Sequence, residues 1–416
     1  MKNLILIFFV TLYGYTNAQE KISLDKCYEL VRINYPLSKQ NEALNSQLKL
    51  QNEIIGLDKL PKVSLNAQAT YQSEVTQIPF SLPNATVEPL NKDQYRATLD
   101  VNQLIYNGGL LNAQSKLKEI QFKTQQQQIE VSLYQLKNIV NQYFFGILLL
   151  QEKNELLQSK MSLLIEKNKE VKTAVKFGAI LPASEQVLEA EIIKIQQQIN
   201  DLQFDKRKLL YHLEKLTATN FDENTILENS ISLETTEALR PEFDFFNLQN
   251  QQLEASQIIV SKSNLPKLNA FIQGGYGNPA LNMLNNSFEA FYVTGIRLNW
   301  TLFDWNKTKK EKEVLEISKQ LIASEKETFQ LNLNRQLQET DFEIQKINQQ
   351  LKSDEEIIDL RQKIVKSSEA QMKNGVITTS EYLNEIDKLF ESKNNQKSHQ
   401  IQLQLTQANY QIIKGN

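Results

Sequence analysis

The sequence predicts a mainly α-helical protein that also contains a small membrane β-sheet, and three observations support this fold class. The 416 residues include only 12 glycines and 9 prolines, which is typical of long helices with few loops. Apolar residues recur in heptads over two long segments and alternate with polar residues over four short ones. The same order of features occurs in both halves. We therefore predict a duplicated architecture of strand hairpins and long coiled-coil helical hairpins.

The N-terminal segment MKNLILIFFVTLYGYTNA resembles a secretory signal peptide. A lysine precedes an apolar run from Leu4 to Leu12, and the segment ends on the small residue Ala18. A buried N-terminal strand or helix is the alternative. Removal after Ala18 leaves 45 basic and 49 acidic residues, and this mild acidity argues against a nucleic-acid surface. The single cysteine, Cys27, is expected to be a small apolar residue on a helix.

An internal duplication is visible in several pairs of segments. LPKVSLNAQATY (60–71) matches LPKLNAFIQGGY (265–276), and VNQLIYNGG (101–109) matches LNWTLFDWN (298–306). Gly178 and Gly375 lie 197 residues apart, as do Tyr106 and Phe303. Such self-similarity decides the architecture of the whole chain. We predict the following organisation: signal peptide 1–18, first repeat 19–217, linker 218–236 and second repeat 237–416.

Four membrane strands are predicted from the alternation, at about 62–72, 94–105, 267–277 and 290–303. In the first strand Val63, Leu65 and Tyr71 share one face, and Lys62 and Ser64 begin the other. About ten residues with one apolar face is typical of a membrane β-strand. A half-buried strand of a soluble sheet is the local alternative. The loops 73–93 and 277–289 are expected to be exposed outside the cell.

A sheet of four strands predicts oligomerisation if it lies in a membrane. Four strands are too few for a barrel of useful width, and an open sheet edge is not tolerated in lipid. Three copies of the chain would supply twelve strands.

The helical segments carry heptads that require coiled-coil partners. The first long segment, 110–176, and the second, 307–373, would each be about 100 Å long at 1.5 Å per residue. In the second, Leu337, Ile344, Leu351, Ile358, Val365 and Met372 recur every seven residues. In the first, the heptad seam consists of positions spaced alternately four and three residues apart: Ile129, Leu133, Leu136, Val140, Tyr143, Ile147, Leu150, Asn154, Leu157, Met161, Leu164, Asn168, Val171 and Val175. The predicted partner helices are 182–217, 379–413, 23–57 and 237–262.

Each long helix is expected to reverse direction at a glycine. Gly178 and Gly375 follow the two heptad segments, and glycine adopts the left-handed conformation that ends a helix. Pro182 suits the first turn of a return helix. Ser184 and Ser380 are candidate N-caps of the return helices.

The sequence resembles the TolC family of outer-membrane efflux proteins over about 20–415. The resemblance rests on ISLDKCYELVRINYP, on IYNGG and LFDWN before the long helices, on RPEF, and on the two glycine tips. It implies a homotrimer whose twelve-stranded β-barrel in the outer membrane continues as an α-helical barrel across the periplasm. It also implies that a periplasmic adaptor docks at the tips Gly178, Gly375, Ser184 and Ser380, and that an inner-membrane pump of the RND or ABC type supplies the energy.

The resemblance further implies a pore constriction at the tips. Glu381 stands six residues beyond the second tip glycine, where the family commonly has an acid, and Glu185 is its match in the first hairpin. Asn384 stands where some members carry a second acid, and Ile377 replaces a basic latch residue for which Lys373 is a candidate substitute. Three Glu381 carboxylates in a ring would attract cations and raise one another's pKa. The alternative is a solvated acid at a helix start.

Other function classes have less support in the sequence. His212 and His399 are helical and far apart, without a Cys or acid cluster at ligand spacing, so both are expected to be solvated. GGYG (274–277) lacks the strand–helix context of a phosphate loop. We expect neither an enzyme nor a cofactor or metal. A periplasmic adaptor or a structural coiled-coil protein is the alternative to an exit duct, and the exported substrate is left open.

Overall fold

The structure is a computed structural model that describes residues 21–76, 89–221, 225–227 and 239–416. The predicted signal peptide 1–18 lies outside the described residues, as do most of the loop 73–93 and most of the linker 218–236. Within the described ranges no helix has the length and apolar composition needed to cross a membrane.

Helices dominate the described chain, and one antiparallel sheet contains most of its strand residues. In chain order the elements are β1 (Lys21–Ile22), α1 (Leu24–Asn34), a short 3-10 helix (Pro36–Lys39), α2 (Gln40–Leu57), β2 (Lys62–Tyr71), β3 (Asp93–Tyr106), α3 (Leu110–Lys176), α4 (Ala183–Thr217), β4 (Ile226–Leu227), α5 (Pro241–Ser263), β5 (Lys267–Asn278), β6 (Glu289–Asn299), α6 (Lys307–Lys373) and α7 (Thr379–Lys414). The antiparallel sheet has the order β2-β3-β5-β6, and β1 pairs with β4 in parallel.

The chain folds into two compact units, and each unit takes segments from both predicted repeats. One unit is formed by described residues of Met1–Lys39, Glu130–Pro241 and Gln330–Asn416, and it contains both hairpin tips. The other is formed by Gln40–Ile129 and Glu242–Phe329, and it contains the four-stranded sheet. The repeats 19–217 and 237–416 therefore describe the order of elements along the chain, whereas the packed units cut across them.

The end of β6 differs from the strand expected at 290–303. The strand ends at Asn299, which lies opposite Lys267, the first residue of β5. Pro266 precedes Lys267, and a proline has no N–H to extend the ladder. Within the sheet of a single chain, the residues after Asn299 consequently have no strand to pair with.

Two further expectations are corrected by the structure. The helix expected over 23–57 is divided after Asn34, because Tyr35 adopts an extended backbone (ψ 135°) immediately before Pro36. The loop expected to be exposed over 277–289 is buried over residues 277–280 and exposed or half-buried beyond them. The cis peptide bond Asn278–Pro279 lies in the buried part.

The heptad seam predicted along α3 is confirmed. None of its fourteen positions from Ile129 to Val175 is exposed, and Val140, Ile147 and Leu164 are completely buried. Such contacts are worth about 1.5–3 kcal/mol for each fully buried aliphatic side chain. The burial follows from the 3.5-residue repeat, which keeps one stripe of a long helix against its neighbours.

The seam of α6 is also confirmed, but its second heptad position is partly polar. The six predicted positions from Leu337 to Met372 are half-buried or buried. The other positions of the seam lie three residues after Ile344, Leu351 and Ile358. They are Ile347, which is fully buried, Asp354 and Arg361. Both polar residues pair with α7: Asp354 lies beside His399, and Arg361 Nη1 lies 3.2 Å from Glu385 Oε2.

The unit that contains the hairpins has two apolar clusters. One joins α1, α3, α4 and α7, and it includes Cys27, Phe144 and Leu213. Cys27 is fully buried on α1, as expected, and burial raises the pKa of its thiol to about 12. The second cluster lies towards the hairpin tips and is the core of the candidate gate region.

Candidate functional site: a two-faced sheet and paired helical hairpins

The four-stranded sheet has one continuous apolar face. Register places Leu65 of β2 opposite Leu99 of β3, and Val101 of β3 opposite Ile272 of β5. Because antiparallel partners point to the same side, most apolar residues of the four strands share one face. The members of this face are Val63, Leu65, Ala67, Ala69, Tyr71, Tyr95, Ala97, Leu99, Val101, Leu268, Ala270, Ile272, Tyr276, Ala290, Tyr292, Ile296 and Leu298. Many of these side chains are exposed in the single chain.

The opposite face of the sheet is polar and internally hydrogen-bonded. At its centre the Asp100 carboxylate accepts hydrogen bonds from Asn66 Nδ2 at 2.7 Å, from Thr98 Oγ1 at 2.9 Å and from the Gln273 amide. The two faces therefore suit different media, as the sequence alternation predicted.

Two aromatic residues on the polar face explain the irregularities of β5. Phe271 lies opposite Gly295, and the Arg297 guanidinium lies 5.0 Å from the centre of its ring. Phe291 lies opposite Gly275, where a Cβ atom would come within 2.5 Å of the ring. The Arg96 guanidinium lies 5.5 Å from the centre of the Phe291 ring, so glycines make room for both aromatic rings and an arginine covers each of them.

Aromatic residues border the apolar face at both ends. At the loop end Tyr95, Tyr276 and Phe288 form a stack with centroid distances of 6.2 and 5.7 Å. At the helix end Tyr106 and Trp300 are exposed. Tyr95 and Tyr106 are eleven residues apart on β3, about 36 Å along the strand. At the tilt of about 40° found in membrane barrels this corresponds to a height of about 28 Å, close to the bilayer hydrocarbon thickness.

The two hairpin tips share one backbone motif. Gly178 has φ +73° and Gly375 has φ +71°. At the first tip the N–H of Gly178 bonds to Val175 O at 2.9 Å, and at the second the N–H of Gly375 bonds to Met372 O at 3.0 Å. In both tips the following residue donates to the carbonyl five residues earlier. These are the paired bonds of the Schellman motif, which explains why glycine ends both long helices.

The predicted serine caps are wrong. Ser184 and Ser380 lie inside the first turns of α4 and α7, not at their caps. The N-cap of α7 is Thr378, whose side chain accepts from the backbone N–H of Glu381 at 3.2 Å. The N-cap position of α4 is Pro182, which makes no side-chain cap hydrogen bond. The sequence signal for Thr378 was the spacing Thr-x-x-Glu of a capping box.

Glu381 completes this capping box. Its Oε2 accepts from the Thr378 backbone N–H at 2.7 Å and from the Thr378 hydroxyl at 3.0 Å. The backbone hydrogen bond from Thr378 lowers the pKa of Glu381. The side chain is exposed, as is Asn384 one turn later. In the single chain Glu381 is thus a charged residue at a helix start, and its place in a pore ring stays a prediction.

The first hairpin does not repeat this arrangement. Glu185 Oε1 lies 2.8 Å from Lys172 Nζ across the α3–α4 hairpin, so its charge is compensated. Lys373 pairs with Glu369 one turn earlier in α6, at 3.2 Å. Glu185 and Glu381 consequently differ in their local roles even though they lie at matching points of the duplication.

Two buried lysines connect the hairpins, and sequence reasoning missed both. Lys160 Nζ lies 3.0 Å from Glu191 of α4 and 2.6 Å from Asp387 of α7. Lys167 Nζ lies 2.6 Å from Glu369 of α6. Both lysines occupy positions between apolar seam residues, where a lysine normally indicates a solvent-facing surface. Only the packing of four helices reveals that they are enclosed.

The charges in the Lys167 cluster shift one another's pKa. The hydrogen bond from Lys167 is the largest influence on Glu369 and lowers the pKa of that carboxyl. Burial tends to lower the pKa of Lys167, but the Glu369 and Glu170 carboxylates outweigh it and the pKa is raised. The pair is therefore ionised at neutral pH.

One histidine expectation is corrected by the structure. His399 Nδ1 lies 2.6 Å from Asp354 Oδ2 of α6, and the carboxylate is buried, so His399 is not a solvated residue. The partner lies 45 residues away and meets it across the α6–α7 hairpin, which short-range spacing does not show. His212 stacks on Tyr143 at 5.3 Å. No cluster of His, Cys, Asp and Glu suited to a metal ion occurs in the part of the chain that the structure describes.

Comparison with known proteins agrees with the two-faced sheet and the paired hairpins. Residues 233–414 match the family model of outer membrane efflux proteins. The crystal structure of CusC, described in terms of transmembrane channel formation, superimposes with a TM-score of 0.67 over 94% of this chain and 92% of that one, at 12% identity. The single-chain fold that the resemblance to the TolC family implied is confirmed.

Further channels share the TolC-like fold. The CmeC outer membrane channel of Campylobacter jejuni has a TM-score of 0.63 and 14% identity, covering 94% of this chain and 85% of that one. The outer membrane protein VceC of Vibrio cholerae has a TM-score of 0.66 and 12% identity, covering 94% and 96%. No curated protein sequence gives a significant match. At these identities the structural matches establish the TolC-like fold alone.

Proposed function

We propose that this TolC-like chain is the outer-membrane channel of a tripartite efflux or type I secretion system in a Gram-negative bacterium. The observation that carries the proposal is the continuous apolar face of the sheet, which is exposed in the single chain while the opposite face is polar and hydrogen-bonded. A soluble protein rarely leaves so large an apolar surface uncovered. Outer-membrane lipid is the partner that fits it.

Three copies of the chain complete the channel. The strand order β2-β3-β5-β6 leaves β2 and β6 as edges, and backbone groups at a sheet edge are not tolerated in lipid. A trimer closes twelve strands into a barrel whose polar face lines the lumen, a strand number within the range of membrane barrels. The 67-residue helices α3 and α6, each about 100 Å long, line the continuation of this duct across the periplasm.

The hairpin tips are the docking region for a periplasmic adaptor. Gly178 and Gly375 hold the two turns, and Ser184 and Ser380 lie in the first turns of the return helices. The apolar residues Phe177, Leu181 and Val376 are exposed around these turns, which supports a protein partner there. An inner-membrane pump of the RND or ABC type supplies the energy, and the duct itself is passive and catalyses no reaction.

The closed tips form the constriction of the duct, with Glu381 as its charged ring and Asn384 beside it. The free carboxylate charge of Glu381 supports this choice over Glu185, because Lys172 neutralises Glu185 in its own hairpin. Three like charges at a narrow point favour cations over anions.

A periplasmic adaptor or a purely structural coiled coil is less well supported. The described part of the chain has two long helical hairpins and one four-stranded sheet rather than one hairpin flanked by compact β-domains. The match of residues 233–414 to outer membrane efflux proteins favours the duct as well.

Single-channel recording in a planar lipid bilayer tests the proposal. We expect small, long-lived, cation-preferring openings from the purified protein, because the tips close one end of a continuous duct. A folded protein that inserts no conductance into bilayers at any voltage would contradict the proposal. Addition of the same detergent without protein is the matched control.

A further inference from the structure

The two edge strands of the sheet are matched to each other. β2 has ten residues and β6 has eleven, and along the described chain neither has a strand on its outer side. The strands alternate in direction across the sheet, so β6 of one copy would meet β2 of the next in an antiparallel sense. We infer that β6 pairs with β2 of the neighbouring copy in one specific register, with Lys62 opposite Asn299, and that α2 and α6 pack together beside this seam. The inference rests on the proposed trimeric duct.

Two conditions select this register. Only two registers give all ten residues of β2 a partner within β6: one places Lys62 opposite Asn299, and the other opposite Leu298. The second is a one-residue slip that puts Leu65 of the apolar face opposite Gly295 of the polar face. The first pairs Leu65 with Ile296.

The selected register keeps the apolar face continuous across the seam between copies. It places Val63 opposite Leu298 and Ala69 opposite Tyr292, and all four belong to that face. On the polar face it places Ser64 opposite Arg297. A membrane barrel requires an outer surface that is apolar all the way around, and this register provides one.

The register also gives a reasonable barrel geometry. Lys62, Asn102, Phe271 and Gly295 form one row across the sheet of a single chain. In the inferred register Gly295 faces Asn66 of the next copy, so each copy advances the row by four residues. With about 3.3 Å per residue and about 4.8 Å between strands, this slope corresponds to a strand tilt of about 35°. Membrane barrels have tilts of about 35–45°.

An apolar stripe on α2 lies uncovered directly before β2. Leu50, Ile54 and Leu57 are spaced by four and three residues, and each is more than half exposed. The other side of α2 contacts α3, where Ser115 Oγ donates to Asn52 Oδ1 at 2.7 Å. The stripe therefore faces away from the helix that α2 contacts in its own chain.

A matching stripe lies on α6, the helix that follows β6. Val314, Ile317 and Leu321 are spaced by three and four residues, and each is more than half exposed. Along this segment α6 contacts α5 of its own chain, where Gln257 Nε2 donates to Glu316 Oε2 at 3.2 Å.

Pairing β6 with the next β2 brings the two stripes together in antiparallel helices. Their spacings run in opposite order along the chain, so Leu57 meets Val314, Ile54 meets Ile317 and Leu50 meets Leu321. The second copy of this chain thus covers both the open edge and the apolar stripe.

Disulfide cross-linking in the full-length protein tests the register. In a Cys27→Ala background, the matched pairs are Leu65→Cys with Ile296→Cys and Ser64→Cys with Arg297→Cys. Antiparallel pairs alternate between wide and close types, so one of these two has the separation that a disulfide needs. Within one chain β2 and β6 are three strand spacings apart, about 14 Å, so any bond must join two copies.

We expect covalent dimers and trimers on non-reducing gels from at least one matched pair. The control pair is Leu65→Cys with Leu298→Cys, which represents a register shifted by two residues. The matched pair is expected to give about fivefold the cross-linking yield of this control. For the helices, Ile54→Cys with Ile317→Cys is expected to cross-link, and Ile54→Cys with Ser318→Cys, turned by about 100° on α6, is the control.

Light scattering in detergent measures the oligomeric state and thereby distinguishes failure of the register from failure of the proposed function. A trimer that cross-links through Leu65→Cys with Leu298→Cys would overturn the register and leave the duct standing. A trimer without a cross-link at any strand pair would overturn edge-to-edge pairing. A monomer in detergent and in bilayers would overturn the proposed function together with this inference.

Discussion

Glu381 is a helix-capping residue in the single chain and the predicted gate residue of the trimer. Because its carboxylate accepts two hydrogen bonds from Thr378, replacement by alanine would remove a cap as well as a charge. Glu381→Gln keeps the capping box and removes only the charge. We expect this variant to reduce the cation preference, measured as the reversal potential in a salt gradient, while the trimer is retained.

The control for this prediction is Thr378→Val, which removes the cap hydroxyl and leaves the Glu381 charge. We expect it to lower the stability of the hairpin by about 1 kcal/mol without changing ion selectivity. The cap lowers the pKa of Glu381, so its contribution to stability is complete above the ordinary Glu pKa of about 4.3 and is lost as the pH falls through the lowered value. Unchanged selectivity in Glu381→Gln would remove this residue from the gate.

The apolar face of the sheet can be tested with one pair of neighbouring residues. Leu65→Lys places a charge on the proposed lipid face, and we expect a cost of about 2–4 kcal/mol near the membrane midplane. Ser64→Lys places the same charge on the polar face, opposite Asp100, and is expected to be tolerated. The fraction of protein that folds into lipid vesicles, measured against urea, compares the two. Equal losses in both variants would argue against a lipid-facing surface.

At the scale of secondary-structure elements, the two hairpins depend on ionic contacts as well as on their seams. Lys167 of α3 bridges to Glu369 of α6 while it is largely buried. Lys167→Met leaves Glu369 without this partner, and we expect a loss of about 1–3 kcal/mol. The exposed Lys169→Met is the matched control, with little expected change. Thermal unfolding midpoints at pH 7 compare the variants.

The pH dependence of this bridge follows from the two shifted groups. The lowered pKa of Glu369 means that its contribution is present above the ordinary value of about 4.3 and is lost as the pH falls. The raised pKa of Lys167 means that its contribution is present below about 10.4 and is lost as the pH rises. The difference between Lys167→Met and the native protein should therefore shrink below about pH 4. A difference that stays constant from pH 7 to pH 3 would show that packing, not charge, is responsible.

At the scale of the whole molecule, a single chain leaves surfaces that the residues described by the structure do not cover. Among the described residues the sheet has two open edges, its apolar face is exposed, and the side chains of the stripes on α2 and α6 are more than half exposed. The proposed trimer in lipid would explain these features together, because a ring of copies would cover the edges and stripes and lipid would cover the face. The conductance experiment tests the contact of the apolar face with lipid, and the cross-linking experiment independently tests the contacts between copies.

The pattern of amino acids alone predicts much of this architecture. The bounds of α3 and α6, the four strands with their apolar face, and the glycine turns follow from local rules: heptad and two-residue periodicities and the left-handed conformation of glycine. These rules act between residues that are close along the chain, so the sequence shows them directly.

Tertiary structure decides what depends on contacts between distant residues. The end of β6 at Asn299 depends on where β5 begins, and the burial of Lys167 and of the Asp354–His399 pair depends on helices that meet across a hairpin. The packing of Phe271 beside Gly295 likewise needs the strand register. Spacing along one chain contains no information about such partners, because their positions are set by the packing of whole elements.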